Sequence, residues 1–490
     1  MPKQRNNTIA KLIALLAGIA VAIPFNHQAW WVTWVAIGML YSLLRGRPIQ
    51  QRIQMVALFG LGFFATLLSW MQALGFDVFV LLTVLCLSLC LILALVPIPT
   101  SVIGGPVAFA STWVLVEFLR SHFPFGGFPW GMLGYSQVDG PVIGFARVGG
   151  TAAVAFGLCL VIALAVEAVA TKFAFVLVGS LALVATASLV PTMDSGETVR
   201  VAAVQGSVPV TGRNDFNQRQ KVLERHVQQT LKHREDLQNV SLVIWPESAA
   251  GIDPIHDPYV NNLIQEMVDT VNKPFLIGGT VWQGNPVAPN NTGILWLPFQ
   301  GPTSMYVKNH LVPFGEYVPF RNTLTRYIAR LDNVPEDFTP GDGGGTFTLG
   351  NLRFGDAICF EVAYDEHIRD VVHNGSQFLV AQSNNATYLG TAQPDQQFEI
   401  TRFRAIEHGR AAVVATTTGK SGIISTNGTV IVASKGSGGE VLIATIPTAD
   451  GKNIVDRVTP HSTEILAGFA LLLLIGLRRR NLVKKVPTST

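Results

Sequence analysis

The sequence has few charged residues. Asp, Glu, Lys and Arg make up 14% of its 490 residues and hydrophobic residues 49%, whereas ordinary soluble domains are about 25% charged. Because so few charges cannot cover the surface of a soluble protein of this length, much of the chain is expected to face lipid. The formal net charge is only +3, and no dense basic block with interleaved aromatic residues lies outside the membrane flanks. Nucleic acid is therefore not an expected partner.

Cysteines are also scarce, which excludes a disulfide framework. Cys86, Cys90 and Cys159 lie inside apolar runs, where a thiol behaves as a small hydrophobic group. Only Cys359 lies in the polar part of the chain. That part has no Cys-x-x-Cys pair and no HExxH spacing, so we expect neither a metal nor a cofactor. Cys359 is then either a candidate nucleophile or a buried, inert thiol.

Long apolar runs occupy both ends of the chain. A secretory signal peptide would account for the first run but not for those that follow. Several runs are shorter than the roughly 20 residues of a usual spanning helix, although Trp30, Trp31 and Trp34 can anchor a helix end at the interface. We predict an N-terminal membrane domain over residues 1–196, with about seven transmembrane helices. The predicted spans are residues 9–23, 30–44, 55–71, 78–96, 102–119, 148–168 and 173–190.

Basic residues predict the orientation of these spans. Cytoplasmic loops carry an excess of Lys and Arg, and the basic residues at the expected cytoplasmic ends are Lys3, Arg5, Arg45, Arg47, Arg52 and Lys172. Seven crossings then place residues 197–460 on the extracytoplasmic, periplasmic side of the inner membrane. Residues 461–490 are predicted to form an eighth transmembrane helix, near residues 465–477, and a cytoplasmic tail. The basic residues of that tail are Arg478, Arg479, Arg480, Lys484 and Lys485.

Residues 197–460 read as one α/β domain. Short apolar segments rich in β-branched residues alternate with segments whose apolar residues recur at three- and four-residue spacing. We find no internal repeat and no low-complexity linker. The predicted strands are residues 199–205, 241–245, 274–280, 304–307, 352–358, 378–382 and 412–416. The predicted helices are residues 215–235, 259–271, 364–373 and 395–408.

Three reactive side chains each follow a predicted strand: Glu247, Lys308 and Cys359. Together they can perform covalent acyl transfer, in which a thiolate attacks an ester carbonyl, a carboxylate moves protons and an ammonium stabilises the oxyanion. A nearby Lys is expected to lower the pKa of the thiol and raise the thiolate fraction at neutral pH. Taken singly, such a Glu is more often a charge at a helix N-terminus and such a Lys a solvated residue at a strand end.

In this order, the three segments resemble the carbon-nitrogen hydrolase (nitrilase) superfamily, which implies a four-layer αββα sandwich. Residues 308–319, Lys-Asn-His-Leu-Val-Pro-Phe-Gly-Glu-Tyr-Val-Pro, resemble a stretch of the apolipoprotein N-acyltransferases, in which such a domain precedes the last of eight spans. The resemblance implies ping-pong transfer of an acyl group from a phospholipid to the amine of a diacylglyceryl-cysteine. Glu247 would be the general base, Lys308 the oxyanion stabiliser and Cys359 the nucleophile.

The resemblance also implies roles for other residues. Glu316 and Glu361 would support the site by orienting Lys308, or else form ordinary surface salt bridges. On a Gly/Pro loop, Phe128, Trp130 and Tyr135 would line a lipid entry path or form an interfacial aromatic belt. The predicted substrate contacts near the nucleophile are Phe360, Asn384 and Tyr388. The helix that follows matches at Asp395, Gln396, Gln397, Arg402, Arg404, Glu407 and Arg410, of which the last four are more simply scaffold salt bridges.

Two departures from the family pattern lie beside the predicted site. Asn385 and Thr387 stand where an acid and a large aromatic residue are common, and Phe360 stands where Tyr is frequent. Two other functions stay open, of which the second is motivated by these departures. One is a membrane-anchored amidase or hydrolase, in which water discharges the thioester. The other is a catalytically silent protein that binds lipoproteins. We expect a monomer.

Overall fold

The computed structural model describes residues 2–172, 174–191, 197–208, 216–326, 331 and 334–483. Phe173 and Asp215, where a predicted span and a predicted helix begin, lie outside these residues, as do Lys484 and Lys485. The side chains of Lys3, Arg5 and residues 478–480 are likewise not described. By internal contacts the chain divides into two units, Met1–Pro191 with Arg457–Thr490, and Thr192–Asp456. We call these the helical unit and the α/β unit.

Helices form most of the helical unit, and strands and helices alternate in the α/β unit. The helices are α1 (Pro2–Ala22), α2 (Trp30–Leu44), α3 (Ile49–Leu67), α4 (Phe76–Cys90), α5 (Ile92–Leu95), α6 (Gly104–His122), α7 (Ala146–Thr171), α8 (Ala174–Ser188), α9 (Phe216–Lys232), α10 (Pro258–Val271), α11 (Arg321–Leu324), α12 (Asp365–His373), α13 (Gln393–His408), α14 (Ile454–Arg457) and α15 (Ser462–Val483). The strands are β1 (Thr198–Gln205), β2 (Leu242–Ile244), β3 (Phe275–Gln283), β4 (Ala288–Leu297), β5 (Gly301–Val307), β6 (Thr346–Leu349), β7 (Leu352–Ile358), β8 (Phe378–Ser383), β9 (Ala411–Thr416), β10 (Gly422–Ile424), β11 (Val430–Ala433) and β12 (Glu440–Pro447).

Every predicted span of the helical unit overlaps a helix. Among the described residues, length and composition qualify three segments to cross a membrane: Asn7–Phe25, Phe76–Leu95 and Ile143–Thr171. Three further apolar helices are shorter: Trp30–Leu44, Val176–Ser188 and Ser462–Leu477. The helices therefore give this unit the character of a membrane protein.

Helices α1 and α3 pack closely through two glycines. A Cβ atom at Gly18 would lie 2.0 Å from the carbonyl oxygen of Phe59, and one at Gly62 would lie 2.4 Å from that of Leu15. Small residues at these positions let the two backbones approach, as in other membrane helix pairs.

We expect Gly62→Ala to destabilise the helical unit, because the added methyl group must push two backbones apart. Overpacking of this kind typically costs about 1–3 kcal/mol. The matched control is Gly179→Ala in α8, where a Cβ atom meets nothing within 4 Å. Thermal unfolding in detergent should show a lower midpoint for the first variant than for the second. Equal midpoints would contradict the close packing of α1 on α3.

Two six-stranded sheets form the centre of the α/β unit. Their strand orders are β12-β1-β2-β3-β4-β5 and β11-β10-β9-β8-β7-β6. Strands β1, β2 and β3 are mutually parallel, as are β7, β8 and β9. Parallel strands are usually buried on both faces, and β2, β8 and β9 are buried along their whole length.

The main apolar core lies between the two sheets. Val201 and Ile244 from the first sheet pack with Phe354, Val380 and Val413 from the second. A separate core joins the other face of the first sheet to α9 and α10, for example through Leu223 and Ile264. On the other side, α12 and α13 contact β7 and β9. The layers are therefore α, β, β and α, as the resemblance implied.

The seven strands and four helices predicted for this domain are confirmed, with ends that differ by a few residues. Strands β4, β6, β10, β11 and β12 were not predicted. The longest of them, β4, contains the polar run Asn290, Asn291 and Thr292. This run does not follow the apolar pattern of a buried strand, although all three side chains are buried.

Buried ion pairs fasten the end of the α/β unit to α13. The imidazole of His408 lies 2.6 Å from an Asp456 carboxylate oxygen and 3.3 Å from one of Glu407. Burial opposes the charge of His408, but Asp456 and Glu407 together raise its pKa to about 9. Arg404 binds Glu407 and the backbone carbonyls of residues 362 and 363. The interpretation of this helix as carrying scaffold salt bridges is thus confirmed for these residues.

We expect the stability of the α/β unit to fall as the pH rises through about 9. The pKa of His408 is raised from 6.5 to about 9 on folding, so its contribution is fully present below 6.5 and is lost above the folded value. Each pKa unit corresponds to about 1.4 kcal/mol, so the loss approaches roughly 3 kcal/mol. Unfolding midpoints measured from pH 6 to 10 should fall for the native chain and change much less for His408→Asn. If the unfolding midpoint of His408→Asn fell as steeply with pH, groups other than His408 would cause the loss of stability.

Candidate active site

Glu247 follows β2 and is held on both carboxylate oxygens. The side-chain amide of Asn291, on β4, donates to Glu247 Oε1 at 2.7 Å, and the backbone N–H of Asn384, just after β8, donates to Oε2 at 2.8 Å. The side chain of Glu247 is almost fully buried. Strands from both sheets therefore fix the orientation of this carboxylate.

Lys308 follows β5 and meets two carboxylates. Its Nζ atom lies 3.5 Å from Glu247 Oε1 and 2.9 Å from Glu316 Oε2. Only 1% of Lys308 is exposed. Glu316 also accepts from Asn291 Nδ2 at 2.7 Å and from the backbone N–H of Val312 at 2.8 Å. Glu316 thus contacts Lys308 directly, as predicted.

Cys359 follows β7 at a sharp turn. Its φ angle is +57°, in the left-handed region that residues other than glycine rarely adopt, and a 3-10 helix over Cys359–Ala363 begins at once. The thiol is partly buried and free of disulfide bonds. Glu247 and Lys308 both act electrostatically on this thiol, and the side chain of Gln397 hydrogen-bonds to it. The structure therefore brings the three predicted reactive side chains together.

Glu361 ties the Cys359 turn to the end of β5. Its Oε2 accepts from the Ile358 N–H at 2.9 Å, and its Oε1 accepts from the N–H groups of Asn309 and His310 at 2.8 and 3.0 Å and from the Tyr306 hydroxyl at 2.8 Å. Glu361 is completely buried, so it does not form an ordinary surface salt bridge. Because β5 and β7 belong to different sheets, this carboxylate helps to hold Lys308 and Cys359 side by side.

The charges of the site follow from burial and mutual contact. Burial raises the pKa of Glu247, and Lys308 offsets only part of this effect. Burial lowers the pKa of Lys308, but Glu316 and Glu247 outweigh it, so the net pKa is raised and the ammonium form is favoured. Burial likewise opposes ionisation of Glu361, yet His367 and His310 lower its pKa to about 2. Lys308 is therefore positively charged at neutral pH, and the neighbouring Glu247 carboxylate binds a proton more readily than an ordinary glutamate does.

The predicted effect of Lys308, a lowering of the Cys359 pKa, is present but is outweighed. Burial raises the pKa of Cys359, the carboxylate of Glu247 raises it further, and the opposing effect of Lys308 is smaller. The resting thiol is therefore protonated at neutral pH. A base must remove its proton during the reaction, and Glu247 is the carboxylate with the largest effect on the thiol.

Several residues of the site were not predicted. Asn291 bridges Glu247 and Glu316, and Gln397 bonds to the thiol and donates to Ser383 Oγ at 3.1 Å. One feature of the sequence could have indicated Asn291: the two amides Asn290 and Asn291 come shortly before an apolar run that is typical of a buried strand. Gln397 lay in the matched helix without an assigned role.

The predicted substrate contacts of the α/β unit lie around the thiol. Phe360 is nearly buried, with its ring edge-on to Tyr364 at 5.2 Å between centroids. Asn384 uses its backbone for Glu247 and its side-chain oxygen to accept from the Thr417 hydroxyl at 2.9 Å. Burial raises the pKa of Tyr388, and Cys359 is close enough to raise it further. Of the departures, Asn385 is buried whereas Thr387 is exposed.

The predicted lipid-contacting residues of the helical unit are mostly buried. Trp130 packs on Trp70 with 5.5 Å between ring centroids. Trp130 and Tyr135 are each only 2% exposed. Arg120 of α6 donates to the carbonyls of Phe128, Trp130 and Gly131, which fixes this loop. Only Phe128 of the three predicted aromatic residues is partly exposed. Contact of Trp130 or Tyr135 with substrate stays a prediction.

One cluster beside the site has the composition of a metal site. His310, Glu361 and His367 place ligand atoms within 4.8 Å of one another. However, Glu361 already accepts four hydrogen bonds, and His367 Nε2 bonds to the Asp356 carbonyl at 2.8 Å. The cluster therefore works as a hydrogen-bond network that supports the Cys359 turn.

About half of the chain is similar to solved structures of a nitrilase-superfamily member and of an amidase. Nit3 of Saccharomyces cerevisiae, a member of branch 10 of the nitrilase superfamily, is 18% identical with a TM-score of 0.38, over 53% of this chain and 92% of that one. An amidase from Nesterenkonia sp. is 15% identical with a TM-score of 0.39, over 55% of this chain and 96% of that one.

Sequence relatives cover both units. The apolipoprotein N-acyltransferase of Mycolicibacterium smegmatis is 34% identical over 85% of this chain and 76% of that protein. That of Shewanella oneidensis is 29% identical over 98% of this chain and 97% of that protein. That of Pseudomonas aeruginosa (strain PAO1) is 30% identical over 86% of this chain and 86% of that protein. Residues 17–164 match the apolipoprotein N-acyltransferase N-terminal domain, and residues 200–454 match the carbon-nitrogen hydrolase family. The chain therefore belongs to the apolipoprotein N-acyltransferase family and carries a carbon-nitrogen hydrolase domain.

Proposed function

We propose that this enzyme moves a fatty acyl group from a phospholipid to the N-terminal amine of a diacylglyceryl-cysteine lipoprotein, the last step of bacterial lipoprotein maturation. The observation that carries the proposal is the contact of Lys308 with Glu247 beside the Cys359 thiol, in a chain related to named N-acyltransferases over most of its length. We assign Glu247 as general base, Lys308 as oxyanion stabiliser and Cys359 as nucleophile.

In the first half-reaction, Glu247 takes the thiol proton and the Cys359 sulfur attacks the ester carbonyl of the phospholipid. The positive charge of Lys308 stabilises the oxyanion that forms. The ester C–O bond then breaks, Glu247 returns the proton to the leaving oxygen, and a lysophospholipid departs. The acyl group is left as a thioester on Cys359. The raised pKa of Glu247 suits this work, because a general base is most effective with a pKa near the working pH.

In the second half-reaction, the lipoprotein amine attacks the thioester. Glu247 takes a proton from the incoming nitrogen, the C–S bond breaks, and the sulfur regains a proton. The product is an amide. Neither half-reaction consumes an external energy source, because one acyl ester is exchanged for a more stable amide. Asn291 and the Asn384 N–H support the reaction by holding Glu247, and Glu316 and Glu361 by holding Lys308 and the Cys359 turn.

The proposal is tested with purified protein and acyl-labelled phospholipid. We expect a hydroxylamine-sensitive label on the protein, which a diacylglyceryl-cysteine peptide then discharges onto its own amine. Release of free fatty acid without peptide acylation would support the hydrolase alternative. No label on the native chain under turnover conditions would support a silent lipoprotein-binding protein instead.

We further propose the membrane arrangement that the basic residues predict. The chain would cross the cytoplasmic membrane eight times, with a membrane domain over residues 1–196, a catalytic domain over residues 197–460 on the periplasmic face, and a last helix and tail over residues 461–490. Its support is the overlap of each predicted span with a helix. A reporter active only outside the cytoplasm, fused near Gln205, should be active, and one fused after the last helix should be inactive. The reverse result would refute this orientation.

A further inference from the structure

Besides Glu247, Glu316 and Glu361, a fourth carboxyl group lies near the site. It belongs to Asp356, and the charges of Glu361 and Glu247 act on it. Asp356 lies in β7, three residues before Cys359, and is completely buried. Its backbone is satisfied, since its N–H donates to the Gly345 carbonyl at 2.6 Å and its carbonyl accepts from His367. Its two carboxyl oxygens, by contrast, have no well-aligned hydrogen-bond partner among the described residues, and the nearby Ala357 N–H does not prevent the rise in the pKa of this group. An ionised carboxylate in this position would be a buried charge without a compensating contact, which is costly.

Among the described residues, the side chain of Gln382 on the neighbouring strand also has a buried oxygen without a hydrogen-bond partner. Gln382 lies in β8 and is completely buried. Its Nε2 donates to the backbone carbonyl of Trp245 at 2.5 Å. A carbonyl can only accept a hydrogen bond, so this contact fixes which end of the amide faces Trp245 and turns Oε1 the other way. Within the described part of the chain, Oε1 has no donor.

The two orphaned groups meet over Gly293 of β4. A Cβ atom at position 293 would lie 2.2 Å from Asp356 Oδ2 and 3.0 Å from Gln382 Oε1. The space that glycine leaves empty is therefore the space on which both oxygens converge. An ionised carboxylate and an amide oxygen that face the same space repel each other, whereas a protonated carboxyl group can donate a hydrogen bond to the amide oxygen. Burial, followed by the charges of Glu361 and Glu247, raises the pKa of Asp356 well above its ordinary value, in agreement with the protonated form.

We propose that Asp356 is a positioning residue that keeps its proton and donates it to Gln382, so that Gln382 holds the Trp245 carbonyl. Trp245 stands two residues before Glu247, and β8, which carries Gln382, also leads to the Asn384 N–H that binds Glu247. The neutral pair thus fixes the segment that presents the general base. A neutral acid also leaves the charge balance of Lys308 unchanged. For its effect on the reaction, this inference rests on the proposed function.

Three substitutions test the pair by rapid measurement of Cys359 thioester formation. Asp356→Ala and Gln382→Ala each remove the hydrogen bond, and we expect each to slow acylation by about 10–100-fold with KM nearly unchanged, because small displacements of a catalytic group have effects of this size. Asp356→Asn keeps a donor without a charge, so it should stay within about threefold of the native rate. The double alanine variant should be no slower than either single variant, as expected for residues that act as one unit.

An infrared difference spectrum between the native chain and Asp356→Asn tests the proton without relying on activity. We expect the stretch of a protonated carboxyl group in the native chain at neutral pH, absent from the variant. Absence of that band, or an Asp356→Asn enzyme as slow as the folded Asp356→Ala enzyme, would overturn the proposal. If the native chain forms no thioester, the proposed function fails while the infrared result still decides the protonation of Asp356. If Asp356→Ala does not fold, Gln382→Ala and the infrared comparison remain decisive.

Discussion

Cys359→Ala is expected to abolish acyl transfer, with a loss of about 10⁴-fold or more, because the variant lacks the sulfur on which the covalent intermediate forms. The variant should also take up no hydroxylamine-sensitive label from acyl-labelled phospholipid. The substitution removes a partly buried thiol from a turn fixed by Glu361, so the fold should persist. Mass spectrometry of the protein after incubation with phospholipid gives the acyl adduct and its position directly.

Cys86→Ala is the matched control for this experiment. Cys86 is a buried thiol in α4 of the helical unit, so the same chemical change is made in the unit that does not carry Glu247, Lys308 and Cys359. We expect this variant to be labelled and to transfer acyl groups at close to the native rate. Labelling that survives in Cys359→Ala would show that the acyl group is carried by another residue, and the proposed nucleophile would then be incorrect.

Lys308→Met should lower both activity and stability. The methionine removes the cation that faces Glu247 and Glu316 at 3.5 and 2.9 Å, leaving two carboxyl groups in a buried space. Loss of one oxyanion-stabilising group typically costs about 10²–10³-fold in rate. Breaking a buried ion pair on one side costs about 3–5 kcal/mol, because the remaining charge has no partner. Rates of thioester formation and thermal unfolding midpoints in detergent measure the two effects.

Lys420→Met provides the comparison for a lysine outside the site. Lys420 lies 2.8 Å from Asp395, and a third of its side chain is exposed, so the loss should be no more than about 1 kcal/mol with little change in rate. A second variant, Lys308→Arg, keeps the charge but presents a planar guanidinium of different shape. It should recover more stability than activity. Near-native acylation by Lys308→Met would exclude the assigned role of Lys308.

The reactive side chains could be predicted because each follows a strand that was itself predictable. Glu247, Lys308 and Cys359 come after apolar, β-rich segments, and ends of such strands meet where α/β folds assemble their sites. Asn291 could not be found in this way, because it lies in a polar run of β4 and its burial depends on contacts with Glu247 and Glu316. Local pattern does not reveal a polar strand whose partners are distant in sequence.

The charge states were beyond sequence reasoning for a different reason. The pKa of Cys359 is a balance between burial, Glu247 and Lys308, and the sign of the sum depends on tertiary distances. The same holds for Asp356, whose position in an apolar segment is visible in the sequence. Its protonation depends on surroundings that are defined only when β4 and β8 pack beside it. Similarly, the Gly/Pro loop was recognisable from its residues, but the burial of Trp130 and Tyr135 was not.

The protonated resting state of Cys359 bears on how its sulfur resists oxidation. Peroxides and foreign disulfides react with the ionised form of cysteine, and an accessible thiolate would be lost stepwise to sulfenic and sulfinic acids. A sulfur that gives up its proton only when substrate and base are in place offers those oxidants little to attack. The burial that raises the pKa of this thiol therefore also protects it between turnovers.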